Sequence, residues 1–360
     1  MTKALIWGVT GQDGSYLAEN LCKDSRITHV IGVIRRNSNS SNLCRIENLM
    51  KNKKFSLLEG DVTDLSSVIR TLNLANPDHV YNLAAQSHVG MSFHQPHYTW
   101  QVTAGGALNI LEAIKNINKK IRFYQASSSE MFGQSFSEDE NGRYQDENTP
   151  FQPVSPYAVA KLAAHHTTSI YRKSYGIFCV SGILFNHESP RRDVNFVTRK
   201  ITRYIGTLVA NCADRVTPVA FPQQKFPSFS IKWNEQKLKE FPNLRLGNIH
   251  TFRDWGHAKD YVNAMKICMF SDSYPLGNDY VVGTGIATKV ETFLQKAFSI
   301  VGLDYKTKIT IDSNFERPCE VPFLKCRTKR IADIGWSPTI NINDLIQEMV
   351  FYDISLEGVI

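Results

Sequence analysis

Tyr157 and Lys161 lie four residues apart in the stretch Ser155-Pro156-Tyr157-Ala158-Val159-Ala160-Lys161. Ser followed by Pro is a helix-start signal, because serine can cap the free N–H groups and proline is pre-set for the first helical position. Side chains at this spacing share one helix face, which sets a phenol beside an ammonium. Tyrosine ionises near pH ~10 unperturbed, and each unit of lowering takes roughly 1.4 kcal/mol of differential stabilisation. An adjacent positive charge is one of the few things that supplies it. The pair can thus make a proton acceptor of a weak acid. Upstream, residues 121–126 read as a strand that runs out into Ser127-Ser128-Ser129-Glu130, which offers a hydroxyl and a carboxylate at one strand end. Tyr-x-x-x-Lys alone describes many ordinary helices, so its meaning rests on the elements that hold it.

Those elements alternate. Residues 4–7 form a short apolar run, a buried strand, followed by Gly8-Val9-Thr10-Gly11-Gln12-Asp13-Gly14 and a helical pattern with Leu17 and Leu21 on one face. Strand, glycine-rich turn and helix is the context of a dinucleotide-binding motif, here spaced G-x-x-G-x-x-G. The glycines let backbone N–H groups and a helix N-terminus approach a pyrophosphate. A second strand, 30–34, ends at Arg35-Arg36, where NAD-specific sites place an acidic residue; arginine accommodates a 2′-phosphate instead and favours NADP. A strand at 55–58 runs out to Asp61, a candidate contact to the adenine. A helix at 65–74 and a strand at 79–82 lead into the small residues of Leu83-Ala84-Ala85. Residues 98–117 read as a helix broken in character by Gly105-Gly106, and 178–184 as a further strand. This alternation predicts an α/β fold with a doubly wound parallel Rossmann sheet. Such sheets bind ligands at the carboxyl ends of their strands, where Gly8, Arg35, Ser127 to Glu130 and Asn186 all fall.

From about Asn186 the alternation fades into a smaller C-terminal substrate-binding lobe. Helices are predicted at 195–205, 257–269, 290–301 and 344–352, whereas 211–243 is rich in Pro, Phe and Lys and has little periodicity. The expected division is 1–186 with 255–284 for the NADP-binding domain, and 187–254 with 285–360 for the other lobe.

Composition excludes several classes. A chain of 360 residues can build a large core or two closely joined lobes. The net charge of +7 is spread out, and the basic stretches 51–54 and 327–330 read as solvated faces rather than a nucleic-acid surface. A mildly basic protein suits an anionic small ligand. Seven cysteines without a close C-x-x-C pair argue for free thiols in a reducing compartment, and against a disulfide framework or a metal site. No membrane-spanning run is present and Lys3 directly precedes the first apolar strand, so a cytoplasmic protein without a signal peptide is expected.

The constellation has a two-stage chemistry. A base poised against a sugar hydroxyl beside a nicotinamide can pass a hydride to NADP and make a ketone. The ketone acidifies the neighbouring C–H, and a carboxylate can take that proton and expel a β-hydroxyl. Glu130 fits the second role, which a simple dehydrogenase does not need.

Residues 8–16, 32–37, 81–92 with Ser87-His88-Val89, 122–130, 155–161, 196–202 and 253–261 resemble the GDP-mannose 4,6-dehydratase family, within the extended short-chain dehydrogenase/reductases. Most specific is Gly-Ile-Leu-Phe-Asn-His-Glu-Ser-Pro-Arg-Arg at 182–192. The likeness covers most of 1–205 and 244–350. It implies a redox-neutral hydro-lyase that uses tightly bound NADP as an internal hydride carrier and yields a 4-keto-6-deoxy GDP-sugar. In that scheme Tyr157 deprotonates the C4 hydroxyl and Ser128 hydrogen-bonds the C4 oxygen. Glu130 removes the C5 proton, and Lys161 lowers the Tyr157 pKa and holds the ribose. The resemblance implies cofactor contacts from Gly8, Thr10, Gly11, Gln12, Asp13, Gly14, Arg35, Arg36, Asp61, Val62, Leu83, Ala84, Ala85, Ser87, Tyr98, Tyr157, Lys161, Leu184, His187 and Arg192. It implies substrate contacts from Ser87, Ser128, Glu130, Asn186, Lys200, Leu246, Gly247, Asn248, Arg253, Arg317 and Glu320. The loop 36–41 resembles one that crosses to a neighbouring subunit's cofactor, which implies a homotetramer.

Three departures stand out. Ser128 replaces a threonine, which keeps the hydroxyl. Lys325-Cys326-Arg327 replaces Gly-Asp-Pro, and 211–243 looks like an insertion. The last two lie in the substrate half and leave a GDP-heptose (GDP-manno-heptose) open as substrate. An NADPH-dependent GDP-sugar reductase or epimerase is the other alternative, and Glu130 discriminates against it.

Overall fold

The first strand, Thr2–Trp7, is buried at every position from Ala4 to Trp7, as a strand covered on both faces must be. In the computed structural model, which describes residues 2–36, 40–219, 225–315 and 318–359, it is the fifth strand of a seven-stranded sheet. The order is Asp279–Val282, Cys179–Leu184, Arg122–Ser128, His79–Asn82, Thr2–Trp7, Ile27–Ile34, Phe55–Glu59. Every pairing is parallel. The chain builds outward from Thr2–Trp7 to one edge, then returns to His79–Asn82 and builds toward the other. The order therefore reverses between those two strands, which is where such sheets open a ligand crevice.

Successive strand residues face opposite layers. Ala4 and Ile6 pack with Leu17, Leu21 and the helix Ala258–Phe270, while Leu5 and Trp7 pack with the helices Leu65–Ala75 and Gly106–Ile117. The doubly wound α/β sheet read from the sequence is thus the observed one.

Three boundaries differ from expectation in ways that bear on the site. The strand expected at 121–126 is Arg122–Ser128, and its last two residues pair with Ile183 and Leu184. Ser127 and Ser128 are therefore ladder residues, fixed by the sheet rather than by a loop. The helix expected to break at Gly105-Gly106 does not break there. Pro96–Trp100 continues through a wide π turn, Gln101–Gly105, into Gly106–Ile117. Gly106 serves close packing: a Cβ would stand 2.8 Å from Val62 Cγ2. Within 211–243 the described residues carry more regular structure than their pattern implied. Ala213–Val219 and Ser228–Trp233 pair as an antiparallel hairpin, followed by the helix Glu235–Glu240. Phe229 and Phe226 anchor the hairpin against Phe351 at 6.2 and 5.9 Å between ring centroids, so aromatic docking rather than strand alternation defines it.

A second core joins the helices Val197–Cys212, Val290–Ser299 and Ile342–Leu356 through Ile201, Ile205, Phe293, Leu294, Ile346 and Val350. Arg199 and Asp353 form a buried ion pair between the first and last of these. Among the described residues no helix is long and apolar enough to cross a membrane. A three-stranded sheet, Ala287–Lys289, Phe252–His257 and Asn186–Glu188, continues the chain from the main sheet toward this core.

Asp254, fully buried in Phe252–His257, ties that junction together. Its carboxylate accepts from the Thr284 N–H (2.8 Å) and hydroxyl (2.6 Å), the Gly285 N–H (2.8 Å) and the Cys326 N–H (3.2 Å). Removing the acceptor leaves the Thr284 and Cys326 N–H groups without a partner and the Gly285 N–H with only Cys326 Sγ at 3.2 Å. Asp254→Ala is expected to lower unfolding stability by about 3 kcal/mol or more. Denaturant unfolding checks this, and a loss under about 1 kcal/mol would mean that the amides find other acceptors.

Candidate active site

The glycine turn closes on itself because side chains are missing from it. Gly8 has φ +83°, and a Cβ there would stand 3.0 Å from the Leu83 carbonyl carbon and from Ala84 N. A Cβ on Gly14 would stand 2.2 Å from the Gly8 carbonyl oxygen. The backbone of Leu83 and Ala84 thus passes directly against the turn. The helix Gln12–Lys23 starts from Gly11 with no side-chain cap, so its first N–H groups are available to an anion. This cradle fits the pyrophosphate of a dinucleotide.

Gln12 and Asp13 turn their side chains inward. Gln12 Nε2 donates to Asp13 Oδ1 (3.0 Å) and to the His187 carbonyl (3.1 Å), while the Ser189 hydroxyl donates to Gln12 Oε1 (2.8 Å). Asp13 Oδ2 meets His187 Nε2 at 2.7 Å, and His187 Nδ1 meets the Phe185 carbonyl at 2.7 Å. The imidazole also stacks on Tyr261, with centroids 4.4 Å apart. Burial pushes the Asp13 carboxyl up, but the His187 imidazole, the Gln12 amide and the Arg192 charge outweigh it and hold it below the usual range. Both residues can offer a ligand their backbone; their side chains lock the turn to Asn186–Glu188.

The helix Pro156–Tyr175 begins as its sequence predicts: the Ser155 hydroxyl accepts from Ala158 N–H at 3.1 Å and Pro156 takes the first position. Tyr157, Lys161, Ser128 and Glu130 are all buried. Ser128 ends its strand and caps the short turn Ser129–Phe132 by accepting from Glu130 N–H at 3.3 Å. Burial pushes the Tyr157 phenol up to about 12. The Ser128 hydroxyl and the Arg192 charge pull it down, while Glu130 and Asp13 push it up. A hydroxyl, a carboxylate and a guanidinium therefore all act on one phenol.

The Lys161 ammonium donates to the Ala126 carbonyl at 2.7 Å and lies 5.8 Å from the Tyr157 ring centroid. Burial pulls it down to about 8, against the opposing pull of Asp13. Both groups are desolvated, and the lysine is anchored to the strand beside the phenol.

The remaining predicted residues fall into three sets. Arg35 Nη1 donates to the Tyr98 hydroxyl at 2.7 Å, beside an exposed Arg36. The Asp61 carboxylate accepts from the N–H and hydroxyl of Thr63 within its own loop, and the Val62 carbonyl accepts from Asn109 in the helix Gly106–Ile117. Around the crevice, Leu184 ends its strand and Arg192 pairs with Glu188 at 3.1 Å while lying 3.6 Å over the Phe196 ring. Phe196 also faces His88, next to Ser87, at 5.4 Å. Farther along, Asn186 pairs with Trp255, and the Lys200 ammonium sits 4.8 Å over the Phe315 ring with its pKa lowered by burial. Arg253 bridges to Glu320 and to the Val321 carbonyl, each at 2.7 Å. Leu246 spends its side chain in the second core, leaving Gly247 and Asn248 as loop. Arg317 and residues 37–39 lie outside the described residues.

The Lys325-Cys326-Arg327 departure serves packing where it is described. Lys325 N–H donates to Gln145, and Arg327 pairs with Asp139 at 2.5 Å over the Tyr144 ring. Sequence reasoning missed three supporting residues. Arg45 donates to the Thr10 carbonyl at 3.1 Å and holds the glycine turn from its other side. Asn82 donates to Gln125, which donates to the same Ala126 carbonyl that Lys161 uses. Amides inside apolar strands were the only signal for the last two.

Known proteins resemble this chain over nearly its whole length. A family model described as GDP-mannose 4,6 dehydratase matches residues 5–218 and 208–349. The chain is 42% identical over 363 residues to GDP-mannose 4,6 dehydratase 1 of Arabidopsis thaliana, covering 98% of this chain and 90% of that protein. It is 38% identical to the human GDP-mannose 4,6 dehydratase, with 98% and 91% covered. It is 39% identical to the Yersinia enterocolitica enzyme of the same name, with 98% and 94% covered. Among solved structures, the dTDP-glucose 4,6-dehydratase of Bacillus anthracis in complex with NAD superposes with a TM-score of 0.77 at 17% identity, covering 99% of this chain and 98% of that one. The UDP-glucuronic acid 4-epimerase of Bacillus cereus gives 0.76 at 20% identity, covering 98% and 99%. The two structures share the fold.

The buried lysine makes a testable pH signature. Lys161 sheds its proton near 8 when folded, against its ordinary 10.5 when unfolded. Between those values the unfolded chain holds a proton that the folded chain has lost, so this residue's contribution to stability rises with pH across that window. The unfolding free energy of the wild type minus that of Lys161→Met is expected to climb from about pH 7.5 to about pH 9.5. A difference that stays flat would show that Lys161 is not desolvated.

Proposed function

Because the chain belongs to the GDP-mannose 4,6-dehydratase family, we propose that it removes water from GDP-mannose to give GDP-4-keto-6-deoxymannose, with no net oxidation. The observation that carries this is that Ser128, Glu130 and Tyr157 lie buried where the strand Arg122–Ser128 ends against the start of the helix Pro156–Tyr175. A proton acceptor for a hydroxyl and a second one for a C–H stand at one strand end.

NADP, when bound, carries a hydride from C4 of the sugar to C6. The glycine turn with the first N–H groups of Gln12–Lys23 is built for its pyrophosphate, and Arg35 with Arg36 for its 2′-phosphate. Tyr157 takes the C4 hydroxyl proton while Ser128 holds the C4 oxygen. The phenol's high starting pKa makes Lys161 the nearest candidate to stabilise the phenolate as it forms. With a ketone at C4 the C5 proton becomes acidic, and Glu130 takes it. The C6 hydroxyl leaves with a proton as water, and C5 is reprotonated. Two protons are taken, from the C4 oxygen and C5, and two returned, to the leaving oxygen and C5, so the sugar loses one water overall.

On this reading residues 1–186 with 255–284 hold NADP, and 187–254 with 285–360 hold the GDP-sugar. Asn186, Lys200, Arg253 and Glu320 serve as substrate contacts, together with Arg317. The protein works as a homotetramer joined through the loop 36–41. Cys22, Cys179, Cys212, Cys268, Cys319 and Cys326 are free thiols, which suits the reducing cytoplasm.

Two variants separate the stages. Glu130→Gln is expected to keep NADP and still reduce it when GDP-mannose is added, but to lose dehydration by roughly 100-fold or more. Tyr157→Phe is expected to fail earlier, with no rise in the near-ultraviolet absorbance of reduced nicotinamide. A Glu130→Gln enzyme at full rate would remove Glu130 from the base role. Cofactor reduction in Tyr157→Phe would remove Tyr157 from its role.

A further inference from the structure

We infer that His165 is a positioning residue, which through the Ser127 hydroxyl sets where the Tyr157 phenol meets Ser128. The inference rests on the reading that Tyr157 and Ser128 act together on the C4 oxygen.

Tyr157, Lys161 and His165 follow one another at i, i+4 and i+8 along the helix Pro156–Tyr175, so they form one inward stripe. Each is matched on the strand Arg122–Ser128. Tyr157, at the start of the helix, is buried beside Ser128 at the end of the strand, and the Ser128 hydroxyl acts on the phenol. Lys161 Nζ reaches the Ala126 carbonyl at 2.7 Å. His165 Nδ1 meets Ser127 Oγ at 3.1 Å. Ser127 lies between the two residues that the other rungs hold, and it is paired in the sheet. A shift of helix against strand at His165 therefore moves the phenol relative to Ser128.

Both partners of this rung are more than nine-tenths buried, His165 at 4% and Ser127 at 3% exposure. Burying an imidazole and a hydroxyl costs free energy unless they bond to each other, and an apolar pair would fill the seam without that requirement. What the polar pair adds is a fixed register. Burial pulls the imidazole down to about 4 despite the nearby Asp279, so His165 works as a neutral hydrogen-bonding group.

Its other nitrogen, Nε2, lies 3.9 Å from Asp279 Oδ2, and the carboxylate is held by Arg172 at 2.7 Å. Arg172 also donates to the Cys179 carbonyl at 2.7 Å. Phe151 closes the remaining side edge-on at 5.3 Å. Serine, histidine and aspartate in this order suggest nucleophilic catalysis, but Ser127 has no open face and the last gap is too long for a hydrogen bond. The line is a brace, not a nucleophile.

The test uses the full chain with its cofactor. His165→Phe keeps a ring in the seam but removes the ring nitrogens, Ser127→Ala removes the partner, and His165→Asn keeps a hydrogen-bonding group near the Nδ1 position. His165→Phe and Ser127→Ala are each expected to lower kcat about 10-fold or more, as displacement of a reacting group does, with KM for GDP-mannose and NADP content unchanged. The double variant should be no slower than either single, and His165→Asn should recover most of the rate.

A second readout needs no turnover. In protein carrying isotope-labelled tyrosine, the NMR resonance of Tyr157, assigned with Tyr157→Phe, should move in His165→Phe and Ser127→Ala toward its place in Ser128→Ala, and stay in His165→Asn. If the wild type left GDP-mannose untouched, the function reading would fall while this resonance still decided the positioning role. An unmoved resonance in His165→Phe overturns the inference, even with a lowered melting temperature. So does full kcat in that variant, or losses that multiply in the double.

Discussion

Two groups that prefer water, a phenol and an ammonium, are buried side by side where the helix Pro156–Tyr175 meets the end of the strand Arg122–Ser128. The rest of the structure is arranged around that cost. Desolvation moves Tyr157 up to about 12 and Lys161 down to about 8, each toward its uncharged form. Such a pair persists only where neighbours fix it. The Ser128 hydroxyl, the Ala126 carbonyl and the backing Asn82–Gln125 bond supply that fixation from ladder residues of the central sheet.

The second constraint is a set of side-chain bonds that ties the glycine turn to the segment from His187 to Arg191. Gln12 and Asp13, in the first helix, are bonded to His187 and Ser189 from the far side of the crevice. Arg191 extends the same seam to Ser15 and Glu19. Asp254 ties the strand beside Asn186–Glu188 to the backbone at 284–285 and 326. These are side chains reaching between stretches far apart in sequence, so a change at the glycine turn is felt where the sugar is expected.

Much of this was legible before any coordinates. Buried parallel strands betray themselves as apolar runs, and Gly8 to Gly14 and Ser155-Pro156 announce their turn and helix start through local backbone chemistry. The family resemblance rested on the same local stretches. What stayed hidden depends on distant partners. The inward turn of Gln12 needs Ser189, 177 residues away. The direction of Lys161 needs a strand carbonyl, and the support from Arg45 follows no spacing rule. The π turn at Gln101–Gly105 looked like a break because glycine usually signals one, whereas Gly106 is there to let Val62 approach. The hairpin at Ala213–Val219 and Ser228–Trp233 gave no alternation because Phe229 and Phe226, not a regular face, hold it down.

The central claim, that these residues carry out an internal oxidation, elimination and reduction on one GDP-sugar, is tested most directly by isotope bookkeeping. Purified protein would be incubated with GDP-mannose in deuterated water, without added reductant, and the sugar nucleotide analysed by mass spectrometry. Loss of one water with one deuterium gained at C5 is the predicted result. Turnover that demands added NADPH, or a product that keeps its water, would contradict it.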